Sequence, residues 1–135
     1  MTVRVDWDDH EHSILLYTFS SIWTWDELYD AVNKGLELAA TVPHKIDSII
    51  DFQNSRGVPP KAFSQVSRIT SLPYDQSGLV IIAGGGTIFL SLFNLFSIIA
   101  GSLASKYCWV SDLDKAYKVL AERRKASTSE HSSVN

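Results

Sequence analysis

Cysteine is nearly missing from this chain. Cys108 stands alone, so no internal disulfide can form, and a reducing, cytoplasmic setting is the expectation. Concentrated basic charge is missing too. The net charge is −3, and the only basic cluster is Arg123-Arg124-Lys125. Binding a phosphate backbone requires a dense basic surface, so nucleic acid is not expected as a partner. Val3-Arg4-Val5-Asp6 carries no apolar h-region, and no secretory signal is expected. The four histidines, His10, His12, His44 and His131, are scattered, and none accompanies a Gly-x-Ser-x-Gly elbow. Gly84-Gly85-Gly86-Thr87 lacks both the lysine of a P-loop and the Gly-x-Gly-x-x-Gly spacing. These absences predict a protein that is not an enzyme and carries no catalytic residues, cofactor or metal.

What is present is enough apolar sequence for one domain. A chain of 135 residues, 45% of them hydrophobic, can bury a core without staples. The longest uncharged run is Gln76 to Ser105, and its strongly apolar part, Leu79 to Ala104, would attract attention as a membrane span. The glycine triplet cuts it into a short strand, Leu79 to Ala83, and a helix over Thr87 to Ala104 that carries Ser91, Asn94, Ser97 and Ser102. No integral membrane segment is therefore expected.

Along the chain, Val3 to Asp6 and Ile14 to Phe19 read as a hairpin around the polar turn Asp8 to His12. Thr24 and Glu27 have the spacing of a capping box, and Trp25, Leu28, Tyr29, Val32, Leu36 and Ala39 continue at helical period until Pro43. Asp47 to Phe52 reads as a buried strand and Gln53 to Val58 as a polar loop. A helix opened by Pro59-Pro60 follows, with Ala62, Phe63, Val66, Ile69 and Leu72 on its apolar side and Pro73 at its end. Tyr107 to Val110 is a last strand. Ser111 is the expected N-cap of a final helix whose buried stripe is Leu113, Ala116, Tyr117 and Leu120. Residues 1–125 form the expected domain, and the Ser- and Thr-rich residues 126–135 a disordered tail. The predicted class is a single α/β domain with a mixed sheet in the order β-β-α-β-α-β-α-β-α.

That order, with Trp23-Thr24-Trp25-Asp26-Glu27-Leu28, Ile49-Ile50-Asp51-Phe52 and Tyr107-Cys108-Trp109-Val110-Ser111-Asp112, resembles the STAS domains and the sporulation stage II AA-like proteins of the anti-sigma factor antagonist fold. The resemblance implies a non-enzymatic binding domain. The STAS/SEC14-like relatives imply apolar or lipid-like ligands. The antagonists carry a phosphorylatable serine in an Asp-Ser-Ser-Gly sequence, where this chain has Asp51-Phe52-Gln53-Asn54-Ser55-Arg56-Gly57.

Several groups of residues are candidates for function. Asp51, Asn54, Ser55 and Arg56 form a candidate regulatory loop at the C-terminal end of a strand, where α/β sheets usually bind ligands; the alternative is a plain polar turn. His10-Glu11-His12 has metal-ligand residue types and reads as a solvated turn. Cys108 reads as a core thiol. On the helix over Thr87 to Ala104, Ile88, Leu92, Leu95, Phe96, Ile99 and Leu103 share one face, which Phe89, Phe93, Ala100 and Ala104 widen; Leu90 and Ile98 lie outside it. The surface expected to do the work is Phe89, Leu90, Phe93, Ser97 and Ile98, with exposed Trp23 and Trp25. A protein–protein interface, first of all a homodimer, is the expected use of this surface, with an apolar, lipid-like small molecule in a pocket beside the helix as the alternative; packing within the domain also remains open as its cover.

Overall fold

The computed structural model describes residues 2–62, 64, 65, 68 and 77–133. They form one α/β domain with a five-stranded mixed sheet, flanked by three α-helices among the described residues. The strands are β1 (Val3–Trp7), β2 (Ile14–Ser21), β3 (Ile46–Ser55), β4 (Ser77–Ala83) and β5 (Tyr107–Val110). The helices are α1 (Trp25–Ala39), α2 (Gly86–Ala100) and α3 (Leu113–Ser133), and a 3₁₀ segment, Gly101–Lys106, follows α2.

The strands lie side by side in chain order. β1 pairs antiparallel with β2, and β2 to β5 are parallel. The hairpin turn is built by Asp9, whose carboxylate accepts the backbone N–H groups of Ser13 (2.9 Å) and Ile14 (3.1 Å) and the Ser13 hydroxyl. Burial pushes the Asp9 carboxyl up, but these hydrogen bonds bring it below its ordinary value. Each parallel crossover then advances by one strand in the same direction. Right-handed connections therefore put α1 and α2 on the same face. The last helix, α3, has no further strand to reach and folds back over the other face.

Alternation along the strands sorts the side chains into two cores. Leu15, Phe19, Ile46 and Phe52 pack with Leu28 and Ala31 of α1 and Phe89 of α2. Ile14, Ile49, Leu79, Ile81 and Ala83 pack with Ala116 and Leu120 of α3.

The helix ends follow local chemistry. Thr24 and Glu27 form the expected reciprocal capping box. At α3 the cap is displaced by one residue from expectation. The Asp112 carboxylate accepts the Lys115 N–H at 2.9 Å, and the Asp112 carbonyl takes the first helical bond, so Asp112 is the N-cap and Ser111 lies before it. α2 is shorter than its apolar run, because Gly101 turns to φ 59° and the chain tightens into the 3₁₀ segment. β3 is longer than expected. It continues through Gln53, Asn54 and Ser55 because Ser20 and Ser21 of β2 pair with Asn54 and Ser55. α3 stays helical through the Ser- and Thr-rich residues assigned to a tail, a stretch with neither glycine nor proline to stop it.

Of the helix expected after Pro60, Ala62, Ser64, Gln65 and Arg68 are helical, while Phe63, Val66, Ile69, Leu72 and Pro73 lie outside the described residues. No helix among the described residues is long and apolar enough to cross a membrane.

Because each cap satisfies otherwise orphaned backbone donors, Thr24→Ala and Asp112→Ala should each lower stability by about 1 kcal/mol. Urea denaturation followed by circular dichroism reads the two losses, which should add, since the caps belong to different helices.

Candidate functional site

The two faces of the middle strands are not packed alike. Ile49 and Ile81, under α3, are 0% exposed. Ile50 and Ile82 are their immediate neighbours on the same central strands and point the other way, yet both remain half-buried. The difference is a cavity of about 430 Å³ bounded by that face of the sheet, α1 and α2. It falls within the usual range for ligand pockets, about 300–1,000 Å³.

Large side chains set the cavity's dimensions. Phe52 lies between Phe19 (ring centroids 4.5 Å) and Phe89 (4.2 Å) with both ring pairs tilted, and Phe19 meets Trp23 edge-on at 4.8 Å. Phe96 of α2 meets Tyr107 of β5 at 4.6 Å. These rings fill both ends of the space below α2, while Val32, Leu36, Ile50, Ile82 and Leu92 border the space between.

Hydroxyl groups enter this apolar lining from Tyr17, Ser48, Ser77 and Tyr107. The Tyr17 hydroxyl abuts Gly35, where a Cβ would stand 1.9 Å from the phenol oxygen, so only glycine leaves room for the ring. Burial, with the Tyr107 phenol nearby, pushes Tyr17 up to about 12, and burial alone holds Tyr107 at about 12. Both phenols are hydrogen-bond donors at any physiological pH.

The residues singled out in the sequence are distributed unequally around this cavity. Phe89, Phe93, Trp23 and Trp25 line it. Trp23, expected to be exposed, is 2% exposed, because the turn before α1 folds its indole down among Phe19, Phe52 and Trp25. Ser97 closes a bond onto its own helix, donating to the Phe93 carbonyl at 3.0 Å. Leu90 is half-buried; Ile98 is 80% exposed and faces away. The side chains of Ile99, Ala100, Leu103 and Ala104 lie outside those described. The cavity residues of β2, β3 and β5 were not anticipated as a site. Their only signal was the placement of Tyr17 and Ser48 among the aliphatics of β2 and β3, and of Tyr107 at the start of β5.

The residues of the candidate regulatory loop lie at the end of β3 and just after it, in structural contacts. Asp51 is buried and accepts the Gln53 N–H at 2.9 Å. The Ser55 hydroxyl accepts the Trp23 indole N–H at 2.8 Å and donates to the Gly57 carbonyl at 2.9 Å. A hydroxyl so engaged is a tie between β3 and the turn before α1. Asn54 lies within β3, paired with Ser20, and Arg56 bonds through its backbone N–H to Ser21. The C-terminal edge of the sheet also lacks the strand-order reversal that opens a ligand crevice in doubly wound folds.

The remaining polar groups have local roles. His12 stacks on Trp7 at 4.6 Å, and no three His, Cys, Asp or Glu side chains among the described residues converge on a metal position. Burial pushes the Cys108 thiol up, which disfavours the reactive thiolate. Gly84 and Gly85 hold φ 85°, and a Cβ at Gly84 would reach the Gln53 backbone nitrogen at 2.9 Å. The triplet is thus a tight turn at which β3 and β4 come close. Comparison of the chain with protein-family models, curated proteins and solved structures gives no match.

Two expected outcomes follow from this asymmetry. Ile81→Ala should cost about 2–5 kcal/mol in urea denaturation, and Ile82→Ala markedly less, because its side chain already borders open space. The tyrosines add a pH dependence. The raised Tyr17 pKa means that the folded state holds the phenolic proton more tightly than the unfolded chain, whose value is 10. The associated stability is present in full below pH 10 and is lost as pH rises through about 12. Denaturation midpoints should fall across that interval, and Tyr17→Phe should shrink the fall.

Proposed function

We propose that the protein is a non-enzymatic binding domain that carries or senses an apolar small molecule in the cavity between the sheet, α1 and α2. The observation that supports this reading most is the contrast across β3 and β4. Ile49 and Ile81 are sealed, whereas Ile50 and Ile82 border about 430 Å³ of space. Among the described residues this face of the two central strands is only half-packed, and burial alone does not favour that, because each lost contact costs stability. The lining is the sort ligand sites use, broad apolar walls with a few hydroxyls placed among them. The resemblance to STAS and SEC14-like domains points in the same direction.

A second reading, a homodimer, is favoured by the outer side of α2, where Ile88 is 60% and Ile98 80% exposed. Those two residues are the ones to change in testing it, since Phe93 lines the cavity. The Ser55 phosphorylation reading is disfavoured by the two hydrogen bonds that hold that hydroxyl.

The test is displacement of the fluorescent hydrocarbon amine 1-aminoanthracene, with native mass spectrometry of the purified protein. Saturable probe binding is expected. Val32→Phe, which adds volume to the α1 wall, should weaken it by about tenfold, the scale of a 1.4 kcal/mol loss. Ile98→Glu should leave it unchanged. Saturable binding that Val32→Phe does not alter would place the probe elsewhere and remove the support for this function.

A further inference from the structure

The cavity is polarised along the strands. At one end, Ser48 of β3 sits opposite Val80, and Val80 opposite Tyr107, so one cross-strand row carries two hydroxyl-bearing residues. Tyr17 enters from β2, two residues beyond Leu15, the partner of Ser48. Ser77 lies beside them at the start of β4, its own hydroxyl donating to the Gly78 carbonyl at 3.5 Å. The other end is closed by Phe19, Trp23, Phe52 and Phe89. Ser48 and Phe52 are four residues apart on β3, about 13 Å at the rise of an extended strand.

Among the described residues, the aromatic end offers carbon only. The Trp23 indole N–H is spent on Ser55 at 2.8 Å, and that of Trp25 on the Pro60 carbonyl at 2.7 Å. No lysine, arginine, histidine, aspartate or glutamate is among the described lining residues. An ionised head placed here would lose its hydration without meeting a countercharge, a cost of several kcal/mol at least. A neutral group that accepts a hydrogen bond recovers its lost water bonds from the Tyr17, Ser48 and Tyr107 hydroxyls. Both phenols keep their protons to about pH 12, so they supply no anion for a cationic head either.

We infer that the ligand is an uncharged amphiphile, an apolar chain ending in an ester, ketone or alcohol, bound with that group at the Tyr17, Ser48 and Tyr107 hydroxyls and its chain toward Phe52. This rests on the cavity being a ligand site, and the two are separable by experiment. Displacement of 1-aminoanthracene is measured at pH 8 with three probes: methyl decanoate, decanoate and decane. Methyl decanoate should displace it at concentrations lower than decanoate by about tenfold or more, because only decanoate buries a charge. Tyr17→Phe should weaken methyl decanoate about fivefold, the scale of one hydrogen bond, and leave decane unchanged. The unchanged decane value also reports that the variant is folded. Decanoate binding as well as its ester would overturn the neutral head while leaving the apolar site standing. An ester affinity indifferent to Tyr17→Phe would overturn the placement of the head. Failure of all three probes to displace would overturn the apolar-ligand reading itself.

Discussion

The structure depends on how the two faces of β3 and β4 are covered. A central strand must be shielded from water on both sides, and helices can do this in two ways. On one face α3 lies close, with Ala116 and Leu120 seated directly over Ile49 and Ile81. On the other, aromatic rings stand between the sheet and the helices. Phe19, Phe52, Phe89 and Phe96 act as props, and α1 and α2 rest on them. Small residues bring a helix down onto a sheet, whereas rings arranged around the margin hold it off. The cavity is the geometric consequence of that choice of side chains.

The same choice explains why the sheet's C-terminal edge is occupied by structure. In many α/β proteins that edge is where loops present chemistry. Here Trp23 plugs it, and the plug is fixed by the hydrogen bond from its indole to Ser55. β3 is drawn out by three residues to meet it, through pairing with Ser20 and Ser21. The open space thereby lies away from that edge, beneath the helices. Gly35 and Tyr17 adapt to each other in that space, the missing Cβ on α1 leaving room for a phenol that rises from β2.

Much of the architecture was legible because it depends on neighbours in the chain. The capping box at Thr24 and Glu27 acts across three residues, and the hairpin is set by Asp9 and the groups it bonds within five. The glycine triplet divides strand from helix through backbone freedom alone. Where local reading erred, a contact from a distance decided the outcome. The end of β3 depends on β2, more than thirty residues earlier, and the burial of Trp23 depends on Phe52 and Ser55. The breadth of the apolar face on α2 was visible, and its inner part, Phe89, Leu92, Phe93 and Phe96, lines the cavity while Ile88 and Ile98 face out.

By itself the sequence determined the α/β class, the hairpin turn, the glycine turn after β4 and the first helix cap, because period, glycine and capping chemistry act over a few residues. Only the tertiary structure decided that α1 and α2 share a face, that the rings of four separate segments meet at one end of it, and that Tyr17, Ser48 and Tyr107 face one space at the other. A cavity has no local signature. It is the volume left when side chains far apart in the chain meet before the helices can close, and no single segment encodes it.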